Sequence, residues 1–519
     1  MRALLGRALG GLQTTAEWRR EHLRTNLWLV PALESLAAVL LFAVTTGLDR
    51  AAYDGRFTLA TWVLSGTADG ARQILTTVAA AIITVVGLVF SITVVALTLA
   101  STQFGPRMLR NFIRDRGTQL ALGAFVATFC YTVLVLVVIS PGPHGDFVPH
   151  LSITVALGLT GLDLVVLVYF VNHIATMIQL PQVIAGIAAD LARAIEAQGG
   201  EDQPAPGGGD AGPDREKLLA LVAARGAAVP TSASGYLQYI SHEHLVRIAT
   251  EADVVLHLPY RPGHFLVQGQ PLMLVWPAEH APRVAQELRR GQITGPYRTL
   301  TQDISFGVDQ LVEIAIRALS PAVNDTFTAL TCIDWLGDCL CRINLSWHPQ
   351  RVHRDRAGRI RLIAYQADYD RLVQRAFEKI RQCSGAMPAV MIRQLESLGK
   401  VMEQTALAGR RAVLLEQGAM IWRLCEATVP EPADRSDVRR RYDVLLATAA
   451  ALDEADGVPA ALAAVPGAGS APGGAAGQSV SAARVRAVRT MVAPATMKPY
   501  STARRSRPWT STRRGSAGS

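Results

Sequence analysis

The hydrophobic pattern of this chain begins with four long apolar stretches and then changes to shorter alternating and helical segments. The stretches cover residues 28–48, 73–101, 118–140 and 150–178. Each has the ~20 mostly apolar residues that a transmembrane helix needs. They predict a four-span transmembrane domain over residues 28–178. The mean hydropathy of +0.23 agrees with this prediction, because a purely soluble chain rarely averages out apolar.

The segments that join these spans differ in their arginine content. Residues 1–27 hold five arginines, loop 141–149 holds none, and the three in loop 49–72 are balanced by three aspartates. Loop 102–117 carries a basic inner collar made of Arg107, Arg110, Arg114 and Arg116. Because positive residues stay on the cytoplasmic side, the pattern predicts a bacterial plasma (inner) membrane protein with both termini in the cytoplasm. The collar is expected to anchor the inner helix ends at the headgroups, and a site for anionic lipid is the alternative.

The rest of the chain is predicted to form a cytosolic α+β domain. In residues 179–198 the apolar positions Ile184, Ile187, Leu191 and Ile195 recur on one helix face, which predicts an amphipathic connector. The remaining predicted parts are a cytoplasmic interfacial segment at 1–27, a flexible linker at 199–213, the domain itself at 214–456 and a disordered basic tail at 457–519.

Two types of local pattern occur inside the predicted domain. Residues 228–276 have β-rich runs broken by glycine and proline, which predicts a small β-module. If the stretch "SHEH" is a strand, His242 and His244 share a face, but two histidines without a third ligand do not predict a metal site. From residue 368 to about residue 452 the periodicity is helical, which predicts a helical C-terminal part.

Two carboxyl residues fall inside the predicted spans. Asp163 lies near the middle of the fourth span, where a carboxyl group is costly and raises a functional hypothesis. The alternative is a protonated or hydrogen-bonded side chain that holds helices together. Glu34 lies one to two turns into the first span, where a position near the inner interface or a helix cap explains it.

The second span carries a stripe of small or polar residues at helical spacing. Its members are Ala80, Thr84, Gly87, Ser91 and Thr98. A face of this kind lets transmembrane helices approach closely. It would also line a water-filled path in an oligomer. Both interpretations stay open from the sequence.

A polar turn interrupts the helical pattern of the cytosolic segment "IAIRALSPAVNDTFTA". Ser320-Pro321 is expected to end one helix, and Asn324 or Asp325 to cap the next. Asp303 and Asp309 lie a little upstream. Together with Asn324 and Asp325 they would make a carboxylate site, although capping and solvation explain them more simply.

Several classes of function find no support in the sequence. Residues 457–519 contain nine Arg or Lys and no acid, so the tail accounts for the whole formal net charge of +9. The basic balance therefore does not predict a nucleic-acid partner. None of the four lysines stands in a phosphate-binding loop, and the sequence has no nucleophile elbow and no zinc-protease motif. We expect no enzyme activity, no metal and no cofactor.

The stretches "STQFGPRMLRNFIRDRG" and "IAIRALSPAVNDTFTA" resemble a bacterial family of predicted membrane proteins catalogued as a domain of unknown function. The resemblance runs from about residue 18 to residue 452 and implies four spans followed by a cytosolic domain. The family has Asn-Asp-Pro where this chain has Asn324-Asp325-Thr326. The cap is therefore still expected, but the turn lacks the rigidity of proline.

Two hypotheses about function remain at this stage. The first is an oligomeric channel-like or flux-sensing protein regulated by its cytosolic domain, with the span-two stripe on the conduit and Asp163 tuning its charge. The second is a membrane-anchored scaffold or regulator with no conduit. The lipid bilayer and further copies of the chain are the expected partners.

Overall fold

The computed structural model describes residues 28–56, 63, 66–104, 115–142, 145–200, 213–288, 292–347 and 349–456. Several predicted features lie outside these residues. They are the interfacial segment 1–27, most of the linker 199–213, the tail 457–519 and the collar residues Arg107, Arg110 and Arg114.

Four membrane-length helices open the described chain, which confirms the four predicted spans. They are α1 (Leu29–Tyr53), α2 (Ala68–Phe104), α3 (Arg116–Val138) and α4 (His150–Met177). Helix α1 runs five residues beyond its predicted end, because Asp49 finds partners inside the bundle. A short hairpin of β1 (Ser140–Gly142) and β2 (Gly145–Phe147) joins α3 to α4.

The four helices pack around two apolar clusters, one towards each end of the bundle. One cluster includes Leu75, Tyr131 and Ile153, and the other includes Val89 and Phe170. The outer surfaces of these helices are also apolar, with many exposed Leu, Val and Phe side chains. A bundle that is apolar on both its inner and outer surfaces is typical of a protein that sits in lipid.

A second, larger apolar core is built from the helices that follow α4. Ile184, Ile187, Leu191 and Ile195 of α5 (Leu180–Gly200) are buried in this core, which confirms the predicted amphipathic face. The other helices of the core are α9 (Ile304–Ala318), α10 (Thr326–Ser346), α11 (Tyr369–Cys383), α12 (Pro388–Glu403), α13 (Ala408–Thr428) and α14 (Pro432–Ala455). We refer to residues 180–456 as the C-terminal domain.

A five-stranded mixed sheet forms the other half of the C-terminal domain. Its order is β3 (Ala227–Pro230), β7 (Pro271–Trp276), β5 (Val255–Leu258), β10 (Ile360–Ala364) and β9 (Val352–Arg354), with β5 and β10 parallel. Helix α6 (Pro213–Arg225) covers one face, and α7 (His242–Ala252) and α8 (Ala281–Leu288) cover the other. Strand β10 is buried along its whole length, as expected for a strand covered on both faces.

A second, three-stranded sheet lies beside the first. Its order is β6 (Phe265–Leu266), β4 (Gly235–Ile240) and β8 (Gln292–Gly295). Both pairings are antiparallel, and Tyr236 of β4 stands opposite Phe265 on one side and Gly295 on the other.

The prediction that residues 228–276 form only strands is wrong in one segment. The stretch "SHEH" begins helix α7, with the Ser241 hydroxyl accepting a hydrogen bond from the His244 backbone N–H at 3.2 Å. His242 and His244 are therefore helical neighbours and not residues on one strand face. The cause is local, because a serine cap is followed by Leu245, Ile248 and further apolar residues at helical spacing.

Candidate functional site

The Asp163 side chain points into the transmembrane bundle and not towards lipid. It is 6% exposed, and its Oδ1 accepts a hydrogen bond from the Thr128 hydroxyl of α3 at 3.3 Å. Among the described residues, its second oxygen, Oδ2, has no hydrogen-bond partner. The structure thus brings Asp163 together with one polar group, the Thr128 hydroxyl, which bonds one of the two carboxyl oxygens.

Glu34 of α1 lies against the backbone of α3. A Cβ atom added to Gly123 would stand 1.8 Å from Oε2 of Glu34, so only glycine leaves room for this carboxyl group. Oε2 is buried and, within the described part of the chain, has no hydrogen-bond partner. Glu34 is therefore not a helix cap, because Trp28 is the N-cap residue of α1, whereas its expected position near the inner interface stays a prediction.

A dense hydrogen-bond network closes one end of the bundle. The Asp49 carboxylate of α1 accepts bonds from the backbone N–H of Leu151 at 2.8 Å and of Ser152 at 2.9 Å, and from the Ser152 hydroxyl at 2.7 Å. Asp49 therefore caps the N-terminus of α4 from another helix. Next to it, the Tyr131 hydroxyl donates to the Ser152 carbonyl at 3.2 Å and shares a 2.9 Å bond with Thr45.

The opposite end of the bundle is joined by Asp115 and His173. Asp115 Oδ2 accepts a bond from the Thr118 N–H at 2.7 Å, which caps α3, and lies 2.7 Å from His173 Nε2 of α4. A Cβ atom at Gly117 would stand 2.5 Å from His173 Nε2, so this glycine lets the histidine reach the cap. Arg116, the described member of the predicted collar, is exposed beside this pair.

These polar groups inside the bundle are all arranged around helix α3. Each of them contacts α3 itself or a residue that is hydrogen-bonded to α3. The Asp115, Gly123, Thr128 and Tyr131 positions mark levels separated by about 12, 7.5 and 4.5 Å at 1.5 Å per residue. Together the levels cover about 24 Å of the ~30 Å hydrocarbon thickness. Transfer of a proton from one level to the next would need intervening water, because direct bonds join groups only within a level.

The predicted stripe of the second span faces away from this interior. Ala80, Thr84, Gly87, Ser91 and Thr98 are all exposed on α2. The Thr84, Ser91 and Thr98 hydroxyls donate to carbonyl groups of their own helix, at 2.8 to 2.9 Å. The buried face of α2 carries Val89 and Ala96, whereas Asp163 is buried inside the bundle against Thr128 of α3. The structure therefore does not bring the stripe and Asp163 onto one surface.

The predicted cytosolic turn has the expected role. Helix α9 ends before Ser320-Pro321, and Asp325 caps α10 by accepting bonds from the Thr328 N–H at 3.1 Å and the Thr328 hydroxyl at 2.6 Å. Asn324 has φ +50°, the left-handed conformation that asparagine tolerates better than most residues. The Asp325 N–H donates to the Ala318 carbonyl at 2.8 Å, which closes the turn.

Asp303, which is buried, and Asp309, which is half-buried, belong to a cluster of ion pairs with arginines and not to a solvated surface or a carboxylate site. Arg298 donates to Asp303 at 2.7 Å and to Asp309 at 2.6 Å, and Arg375 holds both oxygens of Asp309 at 2.7 Å. Burial, followed by the nearby guanidinium groups of this cluster, lowers the pKa of His264 to about 4. The cluster therefore joins α9 and α11 to the small sheet with a neutral histidine beside it.

Sequence reasoning missed Asp49, Tyr131, Asp115 and His173. Asp49 and Asp115 were visible only as polar residues at span ends, the type that caps helices. Their partners are up to 103 residues away along the chain, so no local pattern points to them.

The fold and its polar interior define an integral membrane protein with four membrane-length helices and a further α+β domain. The chain belongs to the family described as "Predicted membrane protein (DUF2254)", which it matches over residues 24–400. It is 30% identical over 434 residues to an uncharacterised protein of Mycobacterium bovis and to one of Mycobacterium tuberculosis, covering 80% of this chain and 80% of each relative. No solved structure matches the chain.

Proposed function

We propose that the chain is a channel-like or flux-sensing protein of the bacterial plasma membrane that works as a homo-oligomer and is regulated by its C-terminal domain. The observation that carries the proposal is the Asp163 carboxyl group, 6% exposed inside the bundle and only half bonded. A carboxyl group at this depth is costly, and a passive anchor does not require one.

The path we propose lies inside the bundle and follows the polar levels around α3. Glu34 and Asp163 are its central groups, and each has one oxygen without a partner among the described residues. Such oxygens are free to bind a proton, a water molecule or a cation. The Asp49 and Asp115 networks would form its two ends.

The oligomer we propose forms through the outer face of α2. Small residues allow close helix approach, and the hydroxyl groups of the stripe are already bonded within their own helix. Contact with a second copy would therefore leave no donor unsatisfied. This assigns packing to the stripe and flux to the bundle interior.

Regulation would pass through the junction between α2 and the C-terminal domain. Ala100 of α2 is completely buried in the helical core of that domain. Arg317 of α9 donates from Nη1 to the Thr102 carbonyl at 2.8 Å. A movement of α9 would therefore be transmitted to the end of α2, which packs on α3 and α4 at Val89 and Ala96.

The arginine distribution supports an orientation with both termini in the cytoplasm. The Arg107–Arg116 collar would then meet lipid headgroups of the inner leaflet, including anionic ones. The proposed partners are the bilayer and further copies of the chain, without nucleic acid. We propose no enzyme activity.

The test is flux through liposomes that contain the purified full chain. We would impose pH and salt gradients and compare wild type with Asp163→Asn. The matched control is Thr160→Val, which removes a self-bonded hydroxyl one turn away on the same helix. We expect flux that Asp163→Asn alters and Thr160→Val leaves unchanged. Wild-type flux equal to that of empty liposomes, across pH, salt and osmotic tension, would favour the alternative of a membrane-anchored scaffold.

A further inference from the structure

The turn between α9 and α10 lies at the membrane end of the C-terminal domain. Its neighbour Arg317 is bonded to the Thr102 carbonyl in the last turn of α2. Ala96 of α2 and Ala121 of α3 belong to one apolar cluster, so they lie at a similar level of the bundle. Thr102 lies six residues after Ala96 and Asp115 six residues before Ala121, which is about 9 Å in each case. Thr102 therefore stands at the level of the Asp115 end of the bundle.

The tip of this turn is apolar and exposed. Pro321, Ala322 and Val323 are all exposed, and Val323 keeps 55% of its surface open. Phe327, in the first turn of α10, is 82% exposed, more than any other large apolar side chain in the described part of the chain. We call Pro321–Val323 and Phe327 the turn tip.

Three consecutive backbone N–H groups of the turn are bonded within it. The N–H groups of Val323 and Asn324 donate to the Ser320 carbonyl at 3.0 and 2.9 Å, and the Asp325 N–H donates to Ala318. The Ser320 hydroxyl donates to the Arg317 carbonyl at 2.7 Å. These bonds reduce the cost of entering a medium with little water, because such a medium penalises unpaired backbone groups.

We infer that the turn tip inserts into the lipid interface at the Asp115 end of the bundle. The occupant is the bilayer itself, because Arg317 at the start of the turn bonds the last turn of α2, a helix whose outer face is apolar and exposed. Val323 and Phe327 would enter the boundary between headgroups and acyl chains, with Arg317 close to the headgroups. The turn would thus be a second membrane contact of the C-terminal domain, separate from the four spans and independent of any flux.

The experiment is site-directed spin labelling of the full chain in lipid nanodiscs. Cysteine replaces Val323, Phe327 or Leu345 in a Cys383→Ser background, which removes the exposed thiol. Leu345 is the matched control, because it is 61% exposed on the same helix as Phe327 but about 27 Å further along its axis. Label bound by the parent chain is subtracted, and accessibility to oxygen is compared with accessibility to a water-soluble nickel complex.

Labels at positions 323 and 327 are expected to be accessible to oxygen and protected from nickel, with the opposite result at position 345. Equal accessibility to nickel at all three positions would overturn the inference, because the tip would then lie in water. Protection from both reagents at 323 and 327 would also overturn it, since protein, such as a second copy or residues 105–114, would then cover the tip.

Discussion

The cross-helix cap made by Asp49 leads to a prediction that can be worked out in detail. Its carboxylate is 3% exposed and accepts three hydrogen bonds, two of them from the first free N–H groups of α4. Bonds to a charged group contribute about 1.5–3 kcal/mol each, but three bonds to one carboxylate are not additive. The positive end of the α4 dipole also stabilises the anion. We therefore expect Asp49→Ala to lower the free energy of unfolding by about 4 kcal/mol.

The same substitution should be visible as a loss of thermal stability. For a unit of about 150 residues, 1 kcal/mol corresponds to roughly 2–4 °C, so Asp49→Ala should lower the apparent Tm by about 8–16 °C. Asp49→Asn keeps one acceptor oxygen and should fall between wild type and Asp49→Ala. The assay is the fraction of detergent-solubilised protein that remains monodisperse after heating, at equal protein and detergent concentrations.

The control for this series is Asp69→Ala. Asp69 lies in the first turn of α2 with its side chain 96% exposed, and it forms a 3.6 Å ion pair with Arg72. A surface pair of this kind contributes at most about 1 kcal/mol, so Asp69→Ala should shift the Tm by less than about 4 °C. If Asp49→Ala and Asp69→Ala shift the Tm equally, the Asp49 cap does not hold α1 to α4 and the reasoning is refuted.

Three further predictions concern the C-terminal domain. Arg411→Ala should lower the free energy of unfolding by about 3–5 kcal/mol, measured with heat or urea, because the Arg411 side chain is 2% exposed and lies within 2.9 Å of Asp453 in α14 and of Asp456 just after it. Arg440→Ala on the surface of α14 should lower it by at most about 1 kcal/mol, and equal losses for the two variants would show that burial does not matter here. Asp309→Asn should lower the apparent Tm and speed hydrogen exchange in α9 and α11, because it leaves two guanidinium groups facing an uncharged side chain. Unchanged exchange would show that the cluster does not hold the two helices together. Burial and the adjacent His353 lower the pKa of His242 to about 3. The unfolded chain therefore binds a proton at this histidine near pH 6.5, whereas the folded chain binds it only near pH 3. As the pH is lowered from about 6.5 to about 3, the free energy of unfolding should therefore fall by up to about 1.4 kcal/mol per pH unit. In urea titrations at about pH 7, 5.5 and 4.5, His242→Phe should show a smaller fall than wild type.

The candidate site was predicted in part. Asp163 was identified because a carboxyl group within a long apolar run is conspicuous whatever surrounds it. Its partner Thr128 could not be identified, because threonines are common in transmembrane helices and most of them bond their own backbone, as Thr160 does. Glu34 was expected near the interface from its distance to a span end. Its contact with α3 could not be predicted, because the space for its carboxyl group comes from Gly123 of another helix.

The sequence by itself determined the features that depend on local physics. The length and apolarity of the four spans, the buried face of α5 and the Asp325 cap all follow from patterns shorter than about thirty residues, because hydrophobic burial and capping act on neighbouring positions.

Only the tertiary structure decided which faces meet. The α2 stripe points outwards, Asp303 and Asp309 are paired with arginines, and Asp49 caps a helix that begins 101 residues later in the chain. The two aspartate arrangements have one reason: most polar groups buried by packing are bonded to a partner that the fold brings close, and distance along the chain does not limit that choice.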